Sequence, residues 1–228
     1  FAIALITLLP PVALAKKEPS STSALAFHDL WRKLWEDHIT WTRMVIIGSF
    51  DDLAGNDAYK TRLIQNYVDM EDALEPYYGD EAEEIGDLIL EHLLIAVEIL
   101  DAAEAGNTAA LDDAKTRWYD NGHEIAEFMS GMNPEFWPVS MGDPMWIEHL
   151  DATFNEAVAH LTNDFAGDVS AYDQVVDLAM EMADFFSDGV IQQFPHSFSG
   201  RKCVLGSGRS EGDDDDGDED DDGDDDDQ

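Results

Sequence analysis

Residues 80–107 read DEAEEIGDLILEHLLIAVEILDAAEAGN, and the fold class is decided there. Leu88, His92, Ile95 and Ile99 recur at steps of four, three and four residues, which places them on one helical face. Asp80 suits an N-cap, and Glu81, Glu83 and Glu84 fill the first turn, where the helix dipole favours anions. Gly106 suits the left-handed residue that ends a helix, and Asn107 suits the cap of the next one.

The pattern extends in both directions. A helix-like stretch with an inward histidine runs to an Ala-Gly-Asn or Ala-Gly-Asp corner three times. The histidines are His38, His92 and His149; the corners are Ala54-Gly55-Asn56, Ala105-Gly106-Asn107 and Ala166-Gly167-Asp168. Histidine and corner glycine are 17, 14 and 18 residues apart, so the copies do not superpose without insertions. The closest parallel lies between the second and third corners, where Glu-His-Leu precedes each. Leu34, His38, Trp41 and Val45 mark the first helix, and Leu63, Asn66, Met70 and Leu74 the second, which should stop near Pro76. Leu111, Trp118, Ile125 and Met129 mark the fourth. Three X-Pro steps predict a loop over residues 131–144, since the residue before proline avoids the helical region. A fifth helix is expected from Pro144 to Thr162, and a sixth capped by Asp168 and ended by Pro195. The expected architecture over residues 24–197 is all-α: a six-helix bundle built as three antiparallel hairpins.

Residues 1–15 (FAIALITLLPPVALA) are uncharged and end in Ala13-Leu14-Ala15 before two lysines, the pattern of a secretory signal peptide truncated at its start. Residues 16–23 read as a linker. The expectation is an exported protein, secreted or extracytoplasmic, soluble and without membrane insertion once the leader is removed. Residues 198–228 read as a Gly/Ser-rich and poly-acidic tail, expected to be disordered because like charges repel and offer nothing to bury. Residues 211–228 hold 14 of the 51 acidic groups; the remaining 37 face 12 basic ones, so the chain before residue 211 carries −25. That charge repels phosphate backbones and excludes nucleic acid as a partner. The Asp run could gather cations, weakly binding calcium through hard oxygen ligands. Cys203 is the only cysteine and cannot form an intrachain disulfide.

Three imidazoles on separate hairpins could share one interior. The expected metal ligands are His38, His92 and His149 with Asp69 and Glu124, while Asn66, Asn121, Glu91 and Glu148 orient the imidazoles through hydrogen bonds. Mixed imidazole and carboxylate donors suit iron, zinc or manganese. The bland alternative stays open: a lone histidine on an apolar face is ordinarily a core residue, and acids in so anionic a chain ordinarily face water. Asn66 and Asn121 stand out, because an amide within an apolar stripe needs a partner. His28, His123 and His160 read as surface or flank residues. Trp137 and Trp146 read as core rather than lid. Glu-x-x-His, His-Glu-x-x-His, Cys-x-x-Cys and Gly-rich phosphate loops are absent, so the sequence names no reaction.

LWEDHITWTR, EPYYG, EHLLIA, WYDNGHEIAEF, IEHLDAT and IQQFP resemble blocks of a poorly characterised family of all-helical bacterial proteins, over about residues 30–195. The resemblance implies a helical fold and a common pocket, with Asn121 and Glu124 in a shared Asn-x-x-acid block, and no activity. Two functions are therefore expected as alternatives. One is an exported bundle binding a metal ion or small ligand through interior histidines and carboxylates. The other is a non-catalytic interaction or matrix protein, its protein partner unknown, whose Asp-rich tail binds cations.

Overall fold

The computed structural model describes residues 23–198. The leader, most of the linker, the acidic tail with its expected calcium, and Cys203 lie outside the described residues. The described residues are all-helical: α1 (Ala24–Phe50), α2 (Asn56–Tyr78), α3 (Asp80–Glu104), α4 (Thr108–Met132), α5 (Val139–Leu161), α6 (Phe165–Gln193) and a single turn, α7 (Pro195–Phe198). Each long helix packs on its neighbours in sequence and α6 returns to α1, closing a ring. α1 also touches α3 and α5. Ser23, expected in the linker, caps α1 by accepting from the Ala26 amide (3.1 Å). Phe198, expected in the tail, is buried, with its ring 5.0 Å from that of Phe27.

The three corners share one construction, and it is not the one the glycines suggest. Asp52 (φ 51°), Gly106 (φ 63°) and Asn163 (φ 61°) occupy the left-handed region. After each, the next amide reaches back five residues: Leu53 to Gly48 (3.0 Å), Asn107 to Ala102 (2.9 Å) and Asp164 to Ala159 (2.9 Å). These are Schellman closures, in which an Asp or Asn can replace the usual glycine. Gly106 and its cap Asn107 stand as expected. Gly55 instead lies at φ −88°, and Gly167 lies inside α6. Asp164, not Asp168, caps α6, accepting from the Gly167 amide (3.0 Å). With the true corners, His38, His92 and His149 each precede their left-handed residue by 14 positions.

Prolines end fewer helices than expected. α2 runs past Pro76 to Tyr78, and α5 begins at Val139 with Pro144 inside it. Both prolines lie on exposed faces, where water can take the carbonyl that proline's missing N–H leaves free. Gly79 (φ 61°), not Asp80, precedes α3. The expected 14-residue loop shrinks to the short stretch between α4 and α5. Its Trp137 is 1% exposed and donates from Nε1 to the Phe185 carbonyl (3.2 Å). Asn133 Nδ2 donates to the Gly189 carbonyl (3.0 Å), fixing the same stretch to α6. A Cβ on Gly189 would collide with the indole, coming within 2.6 Å of Cδ1. Gly189→Ala should therefore cost at least the roughly 1–3 kcal/mol of an overpacked core and lower the melting temperature by several degrees. An unchanged melting temperature would show that the indole has room to move.

Candidate functional site

The three histidines lie in one interior layer. His38, His92 and His149 are 6%, 3% and 2% exposed. The rings of His38 and His149 are 5.9 Å apart, and Trp35 contacts both at 5.4 and 5.6 Å. Trp146 contacts His92 (5.7 Å) and His149 (6.3 Å), and Trp118 stacks on His92 at 5.1 Å. α1, α3 and α5 each contribute one imidazole from the same distance before its corner, so the recurrence in sequence becomes adjacency in space.

Two of the imidazoles are held by the same device. Asn66 donates from Nδ2 to the Leu34 carbonyl (3.0 Å), which turns its Oδ1 toward His38 Nδ1 (3.2 Å). Asn121 donates to the Leu88 carbonyl (3.1 Å) and turns Oδ1 toward His92 Nδ1 (3.0 Å). In both, the carbonyl belongs to the residue one helical turn before the histidine. Because an amide oxygen only accepts, Nδ1 carries the proton and Nε2 presents a lone pair. Asn66 and Asn121 follow their left-handed residues by 14 and 15 positions. The matching positions after the third corner are Asp177 and Leu178, so no amide stands there. Among the described residues, His149 Nδ1 is buried without a partner, and so is Thr153 Oγ1 one turn further along α5.

Burial depresses all three imidazoles. His38 falls from 6.5 to about 4, opposed only by its bond to Asn66. His92 falls to about 3 through burial and the neighbouring His38. His149 lies well below 6.5 through burial and both other imidazoles. At neutral pH the layer is an uncharged set of acceptors. It lines a cavity of about 40 Å³, to which Thr42, Thr153 and Trp118 also contribute. A second space of about 20 Å³ lies among Trp31, Trp35, Trp146, His38 and His92. The indole N–H groups of Trp31, Trp35, Trp118 and Trp146 are buried and find no partner among the described residues.

The acids expected beside the imidazoles are elsewhere. Glu91, Glu124 and Glu148 are exposed. Asp69 is half-buried and lies 3.4 Å from Arg62 and 3.3 Å from Gln65. A residue next to histidine is turned about 100° from it, and one three past an asparagine about 60°, enough to reach the edge of the bundle. An unpaired carboxylate is cheaper in water than in this apolar layer. Among the described residues, no group of three or more His, Cys, Asp or Glu is arranged to hold a metal ion.

A second buried polar cluster was not foreseen. Arg43 Nη1 donates to Glu156 Oε1 (2.6 Å) and Asp168 Oδ1 (2.7 Å), and its guanidinium lies 4.4 Å over the Tyr172 ring. His160, expected at the surface, is 7% exposed and lies 2.9 Å from Asp168 Oδ2. Burial lifts Glu156 to about 7 against the pull of Arg43. Asp168 is buried too, yet Arg43 and His160 together hold it below the usual carboxylate range.

No family model, curated protein or solved structure matches this chain.

Proposed function

We propose that the protein is an exported, soluble binding protein: a six-helix bundle of three antiparallel hairpins that holds a small uncharged ligand against its imidazole layer. The ring of helix contacts supports the bundle, and no helix among the described residues is long and apolar enough to cross a membrane. One observation carries the binding reading: the 40 Å³ cavity is edged by three neutral imidazoles and by the unpartnered His149 Nδ1 and Thr153 Oγ1. Buried polar groups without partners are costly, and a largely apolar space of this size with a few polar groups at its wall admits a small guest.

A transition-metal ion is the second reading, favoured by the amide-held imidazoles. Histidine ligands typically donate their other N–H to an oxygen in this way. Two imidazoles on one ion at about 2.0–2.1 Å place their centroids roughly 5–6 Å apart, close to the His38–His149 spacing. The rings would have to turn toward a common point, and with the acids outside, an all-nitrogen set suits zinc or copper better than manganese.

Full-length protein, stripped with chelator, should show altered tryptophan emission and a raised melting temperature with either methanol or a zinc or copper salt. His92→Ala/His149→Ala should abolish the response while retaining helical circular dichroism. If no probe alters emission or stability in the parent protein, both readings fail.

A further inference from the structure

A larger cavity of about 180 Å³ lies at the corner ends of α1, α3 and α5, beside the start of α4. Phe50 from α1, Ile99, Leu100 and Gly106 from α3 and its corner, and Phe154 and Leu161 from α5 help to line it. Ile99, Leu100, Phe154 and Ala157 are also walls of the imidazole cavity, so the two spaces adjoin across a few side chains. Val158 and Leu161 are 42% and 37% exposed, which marks the solvent mouth. Among the described residues that line it, Thr108 alone carries a hydroxyl and none is charged.

Resting on the binding reading above, we propose that the ligand is an uncharged alcohol or phenol, with its hydroxyl at the imidazole layer and its apolar body in this larger cavity. Size supports the division. A cavity of about 150 Å³ admits benzene, so about 180 Å³ suits a ring or a chain of about six to ten carbons, while 40 Å³ suits only a head group. Chemistry supports the head. A hydroxyl can donate to an imidazole lone pair and accept from Thr153 or an indole N–H. A carboxylate could only accept, and would enter a dry site in a strongly anionic protein without a cation to meet it. An ammonium group has no carboxylate beside the layer to pair with. The walls shared by the two cavities put head and body within reach along α5, where Thr153 and Ala157 are one turn apart.

The test is titration of the full chain with 4-ethylphenol, ethylbenzene and 4-ethylbenzoate, read by tryptophan emission and calorimetry. The expected order is 4-ethylphenol about tenfold tighter than ethylbenzene, the worth of one added hydrogen bond, with no binding of the benzoate. Thr153→Val, nearly the same shape, should narrow that ratio while leaving ethylbenzene unchanged. Ala157→Phe should weaken both; if it fails to fold, the Thr153 variant still decides. Equal binding of 4-ethylphenol and ethylbenzene overturns the hydroxyl assignment. Binding of methanol or metal alone, without either aromatic, overturns the corner cavity as the body's site and leaves the binding reading standing. No response to any probe overturns both.

Discussion

Acidification of the metal-free chain from pH 7 should unfold it cooperatively, with the transition below pH 6.5 and a steep dependence on pH. Each imidazole of the layer is neutral in the fold: His38 takes up its proton only near pH 4, His92 near 3 and His149 well below the 6.5 of an unfolded histidine. Stability from a lowered value is complete above the unfolded value and is lost as pH falls toward the folded one. At about 1.4 kcal/mol per unit, His38 and His92 together are on the order of 8 kcal/mol, comparable to the whole stability of a typical domain, and His149 adds in the same direction. Glu156 acts in the opposite sense. It holds its proton in the fold up to about pH 7 and releases it on unfolding above 4.5. Unfolding should therefore take up a net two protons between pH 6.5 and 4.5, about 3 kcal/mol per pH unit. Urea titrations across that range measure the slope. His149→Leu should lower it by one proton and move the acid midpoint downward. A slope that His149→Leu leaves untouched would mean the imidazole is not titrating from a buried neutral state.

Helix faces were legible because a period of 3.6 is written in apolar residues: Leu88, His92, Ile95 and Ile99 predicted α3, and three of those four are buried in the fold. The all-α class followed from the same periodicity, which also set His38, His92 and His149 on inward faces from which they could meet. Corners were read from glycine, and there the sequence misled. Left-handed backbone at Asp52 and Asn163 is supplied by residues that tolerate it less well than glycine but do adopt it. Had Asp and Asn been weighed equally, the common spacing of 14 would have been visible in place of 17, 14 and 18. Two asparagines were recognisable by their apolar surroundings, and both hold imidazoles. The acids were not assignable, because a 60° or 100° turn separates a ligand from a solvated side chain and no residue pattern records it. The Arg43 cluster was invisible for a different reason. Its members come from α1, α5 and α6, more than 100 residues apart for Arg43 and either acid, and only tertiary packing joins them.

That cluster should give the largest effect of any single substitution. Arg43 is the cation shared by two carboxylates whose side chains are 1% and 5% exposed. Replacing it with methionine keeps much of the packing over Tyr172 and leaves both carboxylates buried without their cation. Loss of one partner from a buried pair typically costs about 3–5 kcal/mol, far above the worth of an exposed pair. His160 stays beside Asp168, so the heavier loss falls on Glu156, which depends on Arg43 alone for its charge-assisted bond. Glu156→Gln should accordingly return part of the stability to the Arg43→Met protein while costing the parent more than it helps. The same reasoning fixes the pH response. Without the guanidinium, Glu156 rises further above its unfolded value and Asp168 loses part of what holds it below the usual carboxylate range, so the penalty is greatest at alkaline pH and shrinks as pH falls and protonation neutralises them. Urea unfolding of parent, single and double variants at pH 8 and pH 5.5 measures both effects. An Arg43→Met penalty of the same size at the two pH values would show that the arginine acts through its stem against Tyr172, and not through its charge.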